Sequence, residues 1–229
     1  MQIPVGSTSA VALVSGGMDS VTLAYKLIHT DGIQDLHLIS FDYGQRHRKE
    51  LEAVLYHARE LRATRVIADV TSIQPLLSGS ALTSLDVEVP EGHYTSENMK
   101  VTVVPNRNMI MLAIAAGYAV SHQLDVIAAA VHAGDHFIYP DCRPAFIEAV
   151  RLAILLGNEG FNEPFLYTPF INQTKADIVR IGDALGVPWE HTWSCYKGGN
   201  YHCRKCGTCI ERHEAFDLAG IPDPTIYIT

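Results

Sequence analysis

The segment Ser15-Gly16-Gly17-Met18-Asp19-Ser20 follows a short apolar run, Ala10 to Val14, and precedes a stretch in which Val21, Leu23, Ala24, Leu27 and Ile28 recur at helical spacing. A glycine turn placed between a strand and a helix aims free backbone N–H groups and the positive end of the helix dipole at one point, which suits a phosphate. The segment lacks the lysine of the Walker form and the G-x-G-x-x-G of the dinucleotide fold. Asp19 narrows the chemistry further. A carboxylate beside a phosphate repels it unless a divalent cation lies between them, so Asp19 reads as a Mg²⁺ ligand, direct or through water. The competing reading is a plain strand-to-helix turn capped by Ser or Asp.

A second constellation lies near the end of the chain, Cys195-x7-Cys203-x2-Cys206-x2-Cys209. Its two x2 gaps suit thiolates converging on one tetrahedral ion, and zinc held by four sulfurs is coordinatively closed, hence structural. An iron–sulfur cluster uses the same donors, and His202 and His213 are spare ligands should one cysteine not bind. Cys142 stands apart and reads as a small buried apolar group. Asp141 and Arg143 flank it beyond a strand end, where an Arg fork holds a carboxylate or a purine oxygen, with a structural ion pair as the other use. Asn106-Arg107-Asn108 precedes a long helical pattern and either caps it or reaches a nucleotide. Thr174 and Asp177 have capping-box spacing, and Lys175 in that first turn runs against the helix dipole. A phosphate or carboxylate partner explains Lys175; a solvated lysine is the alternative.

The elements that must position these groups can be read from periodicity. Leu36 to Phe41 reads as a buried strand and Arg65 to Val70 as the next strand, and between them Leu51, Val54, Leu55, Ala58 and Leu61 share a helical face. A helix from about Asn108 to Gln123, apolar nearly all round, leads to a strand from Asp125 to Val131, and a helix from about Pro144 to Leu156 follows. Strands alternating with helices predict an α/β fold with a doubly wound, mostly parallel sheet. Ligands of such sheets lie beyond the carboxyl ends of strands, which gathers Ser15-Gly16-Gly17, Asp42-Tyr43-Gly44 and the loop after Val131 into one neighbourhood. Residues 72–100 break the periodicity and read as an insertion, a lid or partner contact on one view and a solvated loop on the other. The expected organisation is a nucleotide-binding domain over 1–190 and a small four-cysteine zinc module with the tail over 191–229.

Composition sets outer bounds. The chain has 229 residues, 48% apolar and 18% charged, enough to bury a full core. The formal charge of −8 repels a polyphosphate backbone, so direct nucleic-acid binding is disfavoured and a small-molecule substrate expected. The short basic run Arg46-His47-Arg48-Lys49 is offset by Glu50 and reads as site or surface. The first ten residues hold no Lys or Arg and no long apolar run, and no later run approaches membrane-spanning length, so no membrane association is expected. Four of five cysteines crowd together as metal ligands do, which places the chain in a reducing, cytoplasmic setting.

S-G-G-x-D-S opening a doubly wound sheet resembles the PP-loop ATP pyrophosphatases. Four further stretches narrow the resemblance: Phe41-Asp42-Tyr43-Gly44-Gln45-Arg46-His47, Tyr139-Pro140-Asp141-Cys142-Arg143-Pro144, Thr174-Lys175-Ala176-Asp177-Ile178-Val179 and Thr192-Trp193-Ser194-Cys195-Tyr196. In this order they are similar to the 7-cyano-7-deazaguanine synthase family, and they span nearly the whole chain. The resemblance implies ATP, Mg²⁺ and Zn²⁺ as cofactors, with ATP held by Val14, Ser15, Gly16, Gly17, Met18, Asp19, Ser20, Asp42, Tyr43, Gln45 and Arg107. It implies catalytic roles for Asp19, Lys175 and Asp135, substrate contacts from His132, Asp135, Tyr139, Asp141 and Arg143, and metal ligation by Cys195, Cys203, Cys206 and Cys209. The implied reaction converts a 7-deazapurine carboxylate and ammonia to a nitrile through an adenylate and an amide. Free ammonium is the expected nitrogen source, since the chain shows no glutaminase domain, and a homodimer is expected.

The family typically carries an Asn-containing loop ending in Asp-Tyr-Ser-Gly where this chain has His132-Ala133-Gly134-Asp135-His136-Phe137-Ile138, and Gly where it has Asn106. Asp135 keeps its place, but the two histidines and the phenylalanine would change the polarity of the purine site. An amide synthetase stopping one step earlier is therefore the nearest alternative. A PP-loop tRNA-modifying enzyme and a nucleotide-binding zinc regulator without turnover are the others.

Overall fold

The structure is a computed structural model that describes residues 2–44, 49–77, 80, 88–93 and 99–228. Five strands form one parallel sheet: β1 (Ser9–Leu13), β2 (Asp35–Asp42), β3 (Thr64–Asp69), β4 (Val126–Ala128) and β5 (Phe165–Tyr167), in the order β3-β2-β1-β4-β5. The chain winds outward from β1 in one direction, then returns to its other side with β4. That reversal leaves a crevice beyond the carboxyl ends of β1 and β4, the switch point at which such sheets bind ligands.

The helices are α1 (Met18–His29), α2 (Lys49–Glu60), α3 (Arg107–Ser121), α4 (Pro144–Gly157), α5 (Lys175–Ala184) and α6 (Gly207–Ala219). Side chains alternate along each strand, so β1 sends Ala10 and Ala12 to one layer and Val11 to the other. The first layer holds Leu23 and Leu27 of α1, Val54 of α2, Ile178 and Val179 of α5, and Ala215 and Phe216 of α6. The second holds Leu112, Ala115 and Ala119 of α3 with Ile147, Val150 and Ile154 of α4. β1 and β4, in the middle of the sheet, are buried on both faces and their runs are continuously apolar, whereas the edge strand β3 is half-exposed, with Ile67 at the surface.

β4 is shorter than the expected Asp125 to Val131, since residues 129–131 leave the ladder to line the crevice. One expectation is amended. Lys100–Ser121 is a stretch of 22 residues with the length and apolarity of a membrane span, of which 100–102 and 107–121 are helical. The run is broken at Pro105 and at Asn106, whose φ of 56° is left-handed, and α3 spends its apolar face on the sheet and α4. The described end of the expected insertion packs within the chain: Val89 joins the cysteine cluster, Glu91 bridges Cys206, and Gly92 N–H donates to the Lys205 carbonyl at 2.9 Å. Residues 78, 79, 81–87 and 94–98 of that insertion lie outside the described residues, as does Gln45.

Ala215, Phe216, Ala219 and Ile221 of the cysteine-rich end share the core of the preceding body. Arg212 of α6 is fully buried and donates to Thr192 Oγ1 at 2.7 Å and to the Trp189 carbonyl at 3.0 Å, while its Nε meets Asp223 Oδ1 at 3.4 Å. Burial pushes the Asp223 carboxyl up, but its hydrogen bonds from Thr225 and Tyr227 and the charge of Arg212 outweigh that and hold it below the usual range. α6 is thereby tied to Trp189 and Thr192 on one side and to Asp223 on the other.

Candidate active site

A cavity of about 270 Å³ opens beyond the ends of β1, β2 and β4. On one side the β1–α1 turn contributes Val14, Ser15, Gly17, Met18, Asp19 and Ser20. α1 begins at Gly17 with no side-chain cap, so its first N–H groups are left facing the cavity, whereas α5 begins with the full Thr174–Asp177 capping box. Ser20 Oγ instead braces the turn, accepting from Ser15 N and donating to the Gly17 carbonyl at 3.1 Å. Gly16 is required by shape: φ is +88°, and a Cβ there would lie 2.5 Å from the Glu50 carbonyl oxygen. Its own carbonyl accepts from Trp193 N–H at 2.9 Å, which straps the cysteine-rich segment to the glycine turn.

Lys175 Nζ reaches Asp19 Oδ2 at 3.4 Å and Glu211 Oε2 at 2.6 Å. The first-turn position on α5, unfavourable by dipole, is thus explained by two carboxylate partners. Burial alone would push the ammonium down in pKa, yet the charges of Asp19 and Glu211 outweigh it and hold it well above the usual lysine range. Glu211, conversely, is raised by burial despite Lys175. Asp19 Oδ1 is buried without a hydrogen-bond partner, an orphan of the kind a cation satisfies.

Behind Asp19 lies His132, 1% exposed, with Nε2 at 3.7 Å from Asp19 Oδ2 and 3.4 Å from Asp135 Oδ2, and Nδ1 accepting from Gly134 N. His132 therefore spaces two carboxylates from below rather than lining the cavity. Asp135 and Tyr139 do line it, as do Tyr43 and Arg107, whose Cζ stands 6.0 Å from the Tyr139 ring centre.

Other expected contacts fall elsewhere. Asp141 Oδ2 accepts from the Asn108 backbone at 3.0 Å and so caps α3, while Asn106, at the N-cap position, makes no side-chain cap. Arg143 donates to the His136 carbonyl at 2.7 Å, not to Asp141 or to the cavity. Asp42 accepts from Gly44 N at 3.1 Å and is not in the lining either. His136 and the exposed Phe137 also stand outside it. Cys142 is buried as expected, and its thiol is pushed up by desolvation.

The cavity also contains groups the sequence reading did not assign. Trp193, Ser194, Tyr196, Thr208 and Glu211 form a wall supplied by the cysteine-rich segment, and Glu50 and Leu51 enter from the first turn of α2. Thr208 and Glu211 are three residues apart on one helix face, a spacing that was available in the sequence but overshadowed by the cysteines.

The Sγ atoms of Cys195, Cys203, Cys206 and Cys209 all lie within 4.8 Å of one another, with Cys203 and Cys209 at 3.9 Å. Zinc–sulfur bonds of about 2.3 Å imply a tetrahedron edge of about 3.8 Å, so the donors fit such an ion. Cys203 Sγ accepts from Lys205 N and Cys206 N, and Cys195 Sγ from Cys203 N, contacts that favour thiolates. The spare histidines are engaged elsewhere, His202 accepting from Ser194 N at 3.1 Å and His213 facing Asp217.

The profile of the queuosine biosynthesis protein QueC matches residues 9–220. The chain belongs to the QueC family. Relatives of this QueC chain include the 7-cyano-7-deazaguanine synthase of Sinorhizobium fredii, 54% identical over 95% of this chain and 91% of that one. The 7-cyano-7-deazaguanine synthase 1 of Mesorhizobium japonicum is 53% identical over 96% and 93%. Among solved structures, the U34-tRNA thiolase NcsA of Methanococcus maripaludis with its [4Fe-4S] cluster aligns with a TM-score of 0.51 at 15% identity, over 93% of this chain and 64% of that one. The NMN synthetase of Francisella tularensis gives 0.50 at 14%, over 80% and 63%. This chain thus spans less than two thirds of either solved chain, and the likeness establishes the fold that QueC shares with them.

Proposed function

We propose that this protein converts 7-carboxy-7-deazaguanine and ammonia, with two ATP, into 7-cyano-7-deazaguanine. The observation that carries the reading is the meeting of the glycine turn, Asp19 and Lys175 in one cavity at the sheet's switch point. The relatives above, matched along nearly their whole length, share the reaction that their names describe.

A carboxylate resists nucleophiles because it is anionic and has no good leaving group. In the first round its oxygen attacks the ATP α-phosphorus and pyrophosphate departs. Ammonia then adds to the acyl carbon and AMP leaves, giving the amide. In the second round the amide oxygen attacks another α-phosphorus, pyrophosphate leaves, and loss of AMP and two protons from nitrogen gives the nitrile. The first N–H groups of α1 cradle the pyrophosphate, and Lys175, already cationic, turns from Asp19 toward its developing charge. Glu211 keeps Lys175 aimed into the cavity, and His132 keeps Asp19 and Asp135 apart. Asp19, with its orphan oxygen, would hold Mg²⁺, which supplies charge neutralisation on the phosphates. Zn²⁺ on the four cysteines would be structural. Ammonia as free ammonium and a cytoplasmic setting belong to the same reading.

His136 and Phe137, whose types favoured an amide synthetase, lie outside the cavity lining, which supports the full route. The test supplies purified 7-amido-7-deazaguanine with Mg-ATP and no ammonia and follows nitrile and AMP. Equal amounts of both are expected; supplied amide left untouched while the acid still becomes amide would reduce the enzyme to an amide synthetase. Leu152, Leu155, Leu156 and Phe161 expose an apolar face on and after α4, which supports the homodimer. Sedimentation at micromolar protein should give twice the chain mass, and a single-chain mass would remove that part of the proposal.

A further inference from the structure

Glu50 lines the cavity with a carboxylate that the phosphate chemistry does not use. Its backbone carbonyl packs against Gly16, but among the described residues no hydrogen bond or ion pair within 4 Å reaches its carboxylate. Arg107 is close enough to pull its pKa down, and Tyr43 and Tyr196 feel its charge. Tyr43, Tyr196 and Trp193 line the same cavity and give it aromatic walls. A carboxylate held among aromatic rings without a donor lacks what a planar ligand with N–H groups on its edge would bring.

We infer that Glu50 reads the guanine edge of the substrate, accepting from its N1–H and 2-amino groups while Arg107 faces an acceptor oxygen or the carboxylate of the same molecule. This assignment rests on the proposed function and adds to it the residue that selects the base. The chemistry separates the two purines present. A 2-amino-6-oxo ring presents two adjacent donors, which fit the two oxygens of one carboxylate. The corresponding edge of the adenine in ATP presents one donor beside an unprotonated ring nitrogen, whose lone pair repels the second oxygen. Burial holds the Glu50 carboxyl near 7 in the free protein, as expected of a group lacking the donors it is shaped for.

The experiment uses the full chain and two substrates, 7-carboxy-7-deazaguanine and its analogue without the 2-amino group, at saturating Mg-ATP. Wild type should prefer the amino compound by about 10³-fold or more in kcat/KM, the scale of rejection when a site's hydrogen bond is left unmade. Glu50→Gln should lower kcat/KM for the amino compound by about 10²-fold, mainly through KM, leave the analogue within a few-fold, and leave KM for ATP unchanged. Glu50→Asp, which retains the charge, should recover part of the preference. Equal losses on both substrates, or a raised KM for ATP, would overturn the assignment, the latter moving Glu50 to the adenine. Calorimetric binding of 7-deazaguanine and its des-amino form to both proteins separates this from the reaction itself. Wild type that discriminates the two bases without turnover sinks the proposed reaction but keeps Glu50 as the reader. Turnover with discrimination unchanged in Glu50→Gln does the reverse, and a wild type that binds neither base and turns over neither acid removes both.

Discussion

At the scale of single residues, the site sets charges against one another instead of leaving them to solvent. Lys175 stands between Asp19 and Glu211, and Asp19 and Asp135 are kept apart by one buried histidine, so bringing in phosphate exchanges partners rather than creating a new unpaired charge. Glu50 differs, because the charge of Arg107 offsets only part of the cost of its burial, and this has a sign that pH reveals. Its carboxyl is raised from 4.5 to about 7, so below 4.5 the folded and unfolded chains both hold the proton and stability is unaffected. Between 4.5 and 7 the folded chain retains a proton the unfolded chain has lost, and each step up in pH costs stability; above 7 the cost is complete. Glu50→Gln should therefore stabilise the ligand-free protein by about 1–3 kcal/mol at pH 8 and change little at pH 4. Denaturant titration at the two pH values reads this directly. A variant no more stable at pH 8 than wild type would mean that Glu50 carries no such strain.

At the scale of elements, what the sequence disclosed follows from how each element signals itself. β1, β2 and β3 were legible because their apolar runs end in glycine or acid, and the capping box announced α5. β5, only Phe165–Tyr167, has no periodicity to detect, and α6 was hidden because a metal-type cysteine, Cys206, caps it and another, Cys209, sits in its first turn. The glycine turn, Lys175 and Asp135, expected in one neighbourhood, meet in one cavity, whereas Asp141 caps a helix, because a motif does not say which way its residues face. Close packing of α5 supplies a test at this scale. A Cβ on Gly182 would lie 2.3 Å from Trp189 Cη2 and 2.8 Å from Thr22 Oγ1, both fully or nearly buried. Neither neighbour has space to retreat, so Gly182→Ala should cost about 1–3 kcal/mol although alanine is the better helix former. An unchanged or raised denaturation midpoint would show that the Trp189 layer is looser than this packing requires.

At the scale of the whole molecule, the cysteine-rich segment supplies one wall of the cavity. It lends Ala215 and Phe216 to the main core, Trp193, Ser194, Tyr196 and Thr208 to the cavity wall, and Glu211 to Lys175. The proposed division at residue 190 thus separates sequence-distinct parts whose contents interlock. Metal bound at Cys195, Cys203, Cys206 and Cys209 would fix both ends of this wall, since Cys195 lies two residues after Trp193 and Cys209 two before Glu211. Removing it should act in two places at once. The four thiolates would lose their common partner and the segment would loosen, because metal binding contributes directly to folding of such clusters. The Trp193 N–H strap on the Gly16 carbonyl would loosen with it, disturbing the phosphate turn on the far side of the cavity. Wild type should carry one zinc per chain by elemental analysis. Cys206→Ser should retain much less, melt lower, and bind ATP about 10-fold more weakly or worse at a temperature where α1 to α5 remain folded. Tryptophan fluorescence should report the loosened wall, as Trp193 is buried within the cluster. A metal-free protein that still binds ATP with wild-type affinity would mean that the glycine turn holds its shape without the strap and that the metal serves the cysteine-rich segment alone.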